Sequence, residues 1–371
     1  MYKLVFIKLC FLSMLFSHKA FGQNEFITEW VTTDGNIFIP TSAPITMDGE
    51  IAPYTYNYNI EWYNKSTGTQ LGAANNITGD YTISSLPTDT IEVRITGTFP
   101  HFYSSMNPGA IELIHIKQWG NIQWKSFQSA FSNCINLQTV PAQHPDLTQV
   151  TNMSMMFAYA QIFNQDLSTW DVSNVTDMSY MFAGTHAFNS DLSTWNVSNV
   201  TNMSYMFAGT HAFNSDLSTW NVSNVTNMSG MFYATQAFNQ NIAAWDVSNV
   251  TDMSAMFSTT QAFNQDIGSW NVSNVTHMSG MFSASQAFNQ NIGAWNVSNV
   301  IHMSGMFSSA IAFNQNIAAW NVSNVTDMSL MFVSAQVFNQ NIAAWDVSNV
   351  LIWRECFLLI LYSIKIFLLG I

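Results

Sequence analysis

Apolar and polar positions between residues 151 and 350 recur every 25 residues without an insertion. One tryptophan marks each of the eight units, and a Met-x-x-Met-Phe element keeps the same step. The tryptophans are Trp170, Trp195, Trp220, Trp245, Trp270, Trp295, Trp320 and Trp345. Self-similarity at a fixed period of this length is typical of a repeat solenoid, in which each unit packs only against its neighbours.

Each unit is predicted to contain a short strand followed by one or two helical turns. Leu167-x-x-Trp170-x-Val172 has leucine-rich-repeat spacing with Trp in place of one Leu, and it predicts a strand around residues 169–173. Thr176 is predicted to cap the helix, and the Met-x-x-Met-Phe element gives that helix one apolar face at i, i+3 and i+4. The fold class predicted for residues 151–350 is therefore a leucine-rich-repeat-like solenoid.

Residues 23–110 follow a different pattern. The stretches "YTYNYNIEW" and "IEVRI" alternate apolar and polar positions, and "NKSTGT" and "SSLPTDT" supply turn formers between them. This pattern predicts a small antiparallel β-sandwich-like domain. The segments "YNIEW" and "DYTISSLPTDTIEVRITG" resemble polycystic-kidney-disease-like (PKD-like) modules, a resemblance that implies a spacer role.

The segment 111–150 is predicted to be an N-terminal cap with an irregular repeat. Phe127 and Phe131 have the spacing of Met153 and Phe157 in the first regular unit. Terminal repeats of a solenoid are atypical because they must close the stack.

Residues 1–22 are predicted to be a signal peptide. Lys3 precedes an apolar run, and Ala20-Phe21-Gly22 forms a small-x-small cleavage site. Export places the protein outside the cell or on its surface.

The last segment, residues 351–371, interrupts the repeat in mid-unit with a mainly apolar sequence that contains Arg354, Glu355 and Lys365. A membrane anchor, a C-terminal cap and an out-of-frame tail on a truncated gene are all compatible with it, and loss of the pattern in mid-unit favours the truncated gene.

Charge narrows the range of partners. The chain has 371 residues, a net charge of −13, and neither Lys nor Arg between residues 151 and 350. A surface without cations cannot release counterions from a phosphate backbone, so nucleic acid is excluded as a partner and anionic membrane is a poor one. An extracellular matrix protein, a cell-surface protein or a polysaccharide remains as the expected partner, and self-association remains possible.

The repeat "FNQDLSTWDVSNVTDMSYMF" resembles the consensus of the BspA-like leucine-rich-repeat surface proteins of bacteria, over about residues 153–350. The resemblance implies an exported, surface-associated protein with a role in adhesion or matrix binding. It supplies no catalytic residue.

Neither a cofactor nor catalysis is predicted. The column that begins at Asp166 repeats oxygen ligands and leaves calcium as an alternative, but half of its members are Asn and no Gly-rich calcium pattern accompanies it. Thioether sulfur of the recurring Met would suit a soft metal, yet one Met per apolar turn is more often core. Histidines occupy differing repeat positions without a paired Cys, a nucleophile elbow or a phosphate loop.

The invariant Ser173 and Asn174 columns are interpreted as structural, because stacked side chains of this type satisfy backbone groups at turns. Variable columns are the candidate binding residues, since the stack does not prescribe their identity. These candidates are Tyr180 and Tyr205 in one column and Asp177, Asn202, Asp252, His277 and His302 in another.

Three functional hypotheses follow. Non-covalent, adhesin-like binding through an elongated neutral-to-acidic face agrees best with polar, uncharged columns that recur. A structural spacer or self-assembling surface-layer component is the first alternative. An ice- or crystal-binding solenoid is the second, with the Ser173 and Thr176 columns as a hydroxyl array that Ile301 interrupts.

Overall fold

The computed structural model describes residues 23–41, 54–104 and 108–352. The predicted signal peptide lies outside the described residues, and so does the C-terminal tail from residue 353 onward. Within the described ranges, no helix has the length and apolar character needed to cross a membrane.

The N-terminal region forms a five-stranded antiparallel sheet and a separate two-stranded sheet. The strands are β1 (Phe26–Val31), β2 (Ile37–Ile39), β3 (Asn57–Asn64), β4 (Gln70–Ile77), β5 (Tyr81–Ile83), β6 (Thr90–Thr98) and β7 (Leu113–Gln118). The larger sheet has the order β4-β3-β6-β1-β7 with antiparallel neighbours throughout, and β2 pairs antiparallel with β5. The prediction of an antiparallel β-domain is confirmed.

Alternation along the strands decides which side chains face the core. Ile91, Val93 and Ile95 of β6 are buried on one face, whereas Glu92 on the other face makes ion pairs with Lys65 and Arg94. Strand β7 follows a 3-10 helix at Pro108–Glu112 and pairs with β1, so the sheet extends past residue 110 into the segment that the sequence assigns to the cap.

An aromatic cluster joins the sheet to the repeats. The ring of Trp124 lies 5.1 Å from that of Phe26 in β1, and the ring of Trp119 lies 5.7 Å from that of Trp170 in the first unit. All four side chains are buried in a core that continues to the last unit. The sheet therefore closes the N-terminal end of the solenoid.

The repeat units consist of turns, and the described residues from 151 onward contain neither a helix nor a strand. One isolated parallel bridge per unit, such as Asp177 with Asn202, joins it to the next. The predicted strand at 169–173 and the predicted helix from Thr176 are wrong. A left-handed backbone at two positions in each unit, φ 57° at Tyr180 and φ 67° at Gly184, prevents a helix from continuing.

Backbone amides of the Met-x-x-Met-Phe segment join the units. In one unit four N–H groups donate to carbonyl oxygens 24 residues later at 2.7–3.0 Å, and the same bonds recur in neighbouring units. The donors are Met178, Tyr180, Phe182 and Gly184, and the acceptors are Asn202, Ser204, Met206 and Ala208. All four N–H groups are directed toward the C-terminal end, so each unit must match both neighbours.

The stack of units is curved. Equivalent rings in successive units are spaced differently on different sides of the stack. The centroid distances are 4.8 Å for Tyr180 and Tyr205, 5.8 Å for Phe182 and Phe207, and 6.5 Å for Trp195 and Trp220. These ring planes are within 10° of parallel, so each distance measures the local spacing of the units. The units are closest on the tyrosine side, which makes it the concave face, and farthest apart on the tryptophan side.

Side-chain donors complete the contacts between units. The indole nitrogen of Trp220 donates to the carbonyl oxygen of Leu192 at 2.9 Å, and the amide of Asn224 donates to the carbonyl oxygen of Ser198 at 2.7 Å. Paired backbones require a spacing near 4.8 Å, so at 6.5 Å a long side chain must bridge the gap. The structural interpretation of the invariant Asn174 column is confirmed.

Candidate functional site

Four tyrosines from four successive units lie on the concave face and form a surface that we call the tyrosine patch: Tyr159, Tyr180, Tyr205 and Tyr233. The rings of Tyr180 and Tyr205 stack at 4.8 Å with their planes 10° apart, and the ring of Tyr233 is 6.5 Å from that of Tyr205. Tyr159 and Tyr233 are 48% and 41% exposed. Burial raises the pKa of Tyr180, with smaller contributions from the phenols of Tyr205 and Tyr159.

Three members of the patch have a left-handed backbone, with φ 62° at Tyr159, 57° at Tyr180 and 54° at Tyr205. For a residue with a Cβ this conformation costs about 1–2 kcal/mol. Glycine occupies the Tyr180 column at Gly230 and in two later units, so the fold does not require tyrosine there. The left-handed backbone itself belongs to the fold, because Met155, Ala255 and Leu330 share it in the same column. The tyrosine rings, rather than the backbone, are what distinguishes these units.

Glycines of the following units make room for the rings. A Cβ on Gly184 would lie 2.5 Å from the ring of Tyr159, and one on Gly230 would lie 2.3 Å from the ring of Tyr205. In each column the ring of one unit therefore fills the side-chain space of the next. The local sequence pairs a tyrosine with a glycine 25 residues later.

The phenol hydroxyls of the patch make no hydrogen bond within the described part of the chain. Each hydroxyl is both a donor and an acceptor. The patch therefore presents aromatic carbon and unused polar groups on the same surface, a combination that makes tyrosine common in recognition sites.

Three of the other candidates, Asp177, Asn202 and Asp252, lie in the bridge column. Their Oδ1 atoms accept the backbone N–H of the residue two positions later, at 2.8 Å, 3.1 Å and 2.8 Å. Asp and Asn offer the same acceptor, so their exchange between units preserves the turn. Asp177 and Asn202 belong to the same units as Tyr180 and Tyr205.

The structure does not bring the candidates His277 and His302 to the patch, because they lie two and three units beyond Tyr233. Their rings are 4.9 Å apart, and Nδ1 of His277 lies 2.8 Å from the Thr276 hydroxyl. Histidine therefore occupies the bridge position that holds Asp or Asn in the other regular units.

Sequence reasoning missed a second pair of histidines on the concave face. The exposed rings of His186 and His211 stack at 4.7 Å with their planes 6° apart, which is the narrow spacing of the tyrosine side. Partial burial, together with repulsion from His186, lowers the pKa of His211. Most other units have Gln in the column of His186 and His211, and small residues in the columns of Tyr159 and Tyr233. These departures from the repeat could have identified the four residues from the sequence.

The acidic columns serve the turns. Oδ1 of Asp166 accepts the backbone N–H of Ser168 at 2.9 Å, and hydrogen bonds from Ser168 lower the pKa of Asp166. Asp216 caps its turn in the same way through Ser218. Among the described residues, no group of three or more His, Cys, Asp or Glu is arranged to hold a metal ion.

Comparison with known proteins identifies the repeats. A family model described as "Mycoplasma protein of unknown function, DUF285" matches residues 125–234, 212–300 and 268–359. The three matches overlap in tandem and together span more than half of the chain. No curated protein and no solved structure matches the chain.

Proposed function

We propose that the chain, which belongs to the DUF285 family of unknown function, is an exported, adhesin-like binding protein. The proposal rests on the residues of the concave face. The protein recognises an extracellular protein or polysaccharide without covalent chemistry. The observation that carries this proposal is the stacked pair Tyr180 and Tyr205 on the concave face, in a column where Gly or Ala serves four of the five later units.

Composition and charge support a binding role. Tyrosine is enriched at recognition surfaces because its ring buries a large apolar area while its hydroxyl forms hydrogen bonds. Residues 151–350 contain Asp and His but neither Lys nor Arg, so the surface is neutral to acidic. These properties suit a neutral or basic extracellular partner rather than a nucleic acid.

Similarity of the repeat sequence to the BspA-like leucine-rich-repeat surface proteins supports the adhesin-like role and a location at the cell surface or outside the cell. The parallel bridge on the concave side is consistent with a relationship to leucine-rich repeats, although the described units lack a helix.

The proposal is tested by solid-phase binding of the purified protein to immobilised extracellular-matrix proteins and polysaccharides, with and without calcium. The double variant Tyr180→Ala/Tyr205→Ala is expected to lose saturable binding at least tenfold. Leu330→Ala is the matched control, because Leu330 is exposed in the same column with φ 60° but lies outside the patch. Equal binding of all three proteins would contradict the proposal.

A structural spacer is the second candidate function. The single core that runs from the sheet through the repeats makes the molecule stiff, which suits a spacer or a lattice component. Light scattering of the protein alone distinguishes this alternative. Reversible self-association together with absence of ligand binding would favour it.

Two features count against the ice-binding alternative. The hydroxyl of Thr176 donates to the carbonyl oxygen of Thr151 at 3.2 Å, and the equivalent bond recurs at Thr201, so these donors are already engaged. Curvature of the stack also prevents a flat match to a crystal face. A thermal-hysteresis assay is expected to show no effect.

A further inference from the structure

We propose that the tyrosine patch binds a neutral polysaccharide whose chain lies along the solenoid axis. This inference rests on the proposed binding function and assigns its ligand class. The chemistry that would recognise the ligand is a row of phenol rings and hydroxyls, one per unit, in four consecutive units.

Hydrogen-bonding capacity favours a sugar. The four phenol hydroxyls have no partner within the described residues, and each can donate and accept. Sugar hydroxyls have the same dual capacity. His186 and His211, exposed at the same narrow side of the stack, add imidazole nitrogens with donor and acceptor roles.

Charge favours a neutral chain over an acidic one. The patch contains no cation, and the repeats carry Asp but no Lys or Arg, so an acidic polysaccharide would be repelled. The patch contains no carboxylate either, and the nearest one in sequence, Asp177, is held by the backbone N–H of Ser179 at 2.8 Å. A basic protein would find little negative charge within the patch itself.

Shape favours a polymer. The rings of Tyr180 and Tyr205 stack at 4.8 Å, and Gly209 leaves open space beside them. The ring edges and hydroxyls thus form a shallow track rather than a closed pocket. A repetitive ligand can make several weak contacts at once along such a track, and each contact raises the effective concentration of the next.

The test is affinity electrophoresis of the full-length protein through gels that contain dextran, mannan or xylan as neutral polysaccharides, or hyaluronate as the acidic one. We expect at least one neutral polysaccharide to retard the protein. Tyr180→Ala/Tyr205→Ala should raise the dissociation constant at least tenfold. Tyr180→Phe, which keeps the ring and removes one hydroxyl, should raise it about threefold to tenfold.

Leu330→Ala is the control and should change the dissociation constant less than twofold. Retardation by hyaluronate alone would overturn the inference. If no neutral polysaccharide retards the protein while the tyrosine variants weaken binding to a matrix protein, the ligand class is wrong and the proposed binding function stands. If no ligand of any class binds, both are wrong.

Discussion

The indole nitrogen of Trp220 donates a hydrogen bond to the carbonyl oxygen of Leu192, 28 residues earlier, at a distance of 2.9 Å. The same bond links successive units along the tryptophan side, where the units are 6.5 Å apart. Tryptophan is the natural residue at this position because its nitrogen lies far from the backbone on a large apolar ring. The column therefore supplies both core volume and a bridge between units.

We predict that Trp220→Phe lowers the free energy of unfolding by about 1–3 kcal/mol, because the buried carbonyl of Leu192 loses its partner. Trp345→Phe is the matched control. Trp345 makes the same bond, to Ile317 at 3.1 Å, but is only partly buried, so water can replace its donor. Urea denaturation measures both, and an equal loss in the two variants would refute the bridging role.

A second prediction compares two glycines in one column. Gly280→Ala should cost about 1 kcal/mol, because its φ of 64° disfavours a Cβ although the space around it is open. Gly230→Ala should cost more, since its Cβ would lie 2.3 Å from the ring of Tyr205 and must displace that ring. In a Tyr205→Ala background, Gly230→Ala should cost no more than Gly280→Ala, and a double-mutant cycle by urea denaturation measures this difference. If Gly230→Ala still costs more in that background, the ring of Tyr205 is not the cause.

The bridge column gives a third prediction. Asp252→Asn should leave the midpoint of thermal unfolding almost unchanged, because Asn keeps the oxygen that accepts the N–H of Ser254. Asp252→Ala should destabilise the protein by about 1 kcal/mol through loss of that acceptor. Asn already occupies the equivalent position 227. Equal effects of the two substitutions would indicate that charge, rather than the turn, determines the residue.

The fourth prediction concerns pH. His101 is buried between the sheet and the cap, its Nε2 bonds to the carbonyl oxygen of Gln128 at 2.7 Å, and its Nδ1 has no partner. Burial lowers the pKa of His101 to about 4, below the ordinary value of 6.5. The unfolded chain therefore binds a proton first, and stability present above pH 6.5 is lost as the pH falls toward 4. The loss is on the order of 3 kcal/mol.

Urea denaturation between pH 7 and pH 4 measures this loss. His101→Gln is expected to flatten the dependence in that window, whereas His144→Gln, a substitution of an exposed histidine, should leave it intact. An unchanged slope in His101→Gln would assign the pH dependence to other groups.

The period of the sequence sufficed to predict the solenoid, since a 25-residue repeat of apolar positions has few other solutions. It did not reveal the conformation within the unit. The left-handed position at Tyr180 is occupied by Tyr, Ala and Leu as well as Gly, which hides the backbone requirement from a pattern of side chains. The glycines at positions 230, 280 and 305 were the visible part of that signal.

Half of the tyrosine patch could be predicted. Tyr180 and Tyr205 share a variable column, whereas Tyr159 lies four residues and Tyr233 three residues farther along the unit. Each of these two tyrosines is the single Tyr of its column, so no recurring pattern pointed to it. The ligand and the location of the protein stay predictions, because they depend on chemistry outside the chain.

The four hydrogen-bonded rows of amides described above also give the stack an electric polarity. Every N–H in these rows is directed toward the C-terminal end, and the opposing bonds at the Thr176 column and, in some units, near Ala187 offset only part of the sum. Aligned peptide dipoles add as they do in an α-helix, with the negative pole at the carbonyl end. All four Lys and Arg of the described residues, Lys65, Arg94, Lys117 and Lys125, lie on that side. The field of the backbone and the distribution of the cations thus complement each other across the junction between the sheet and the repeats.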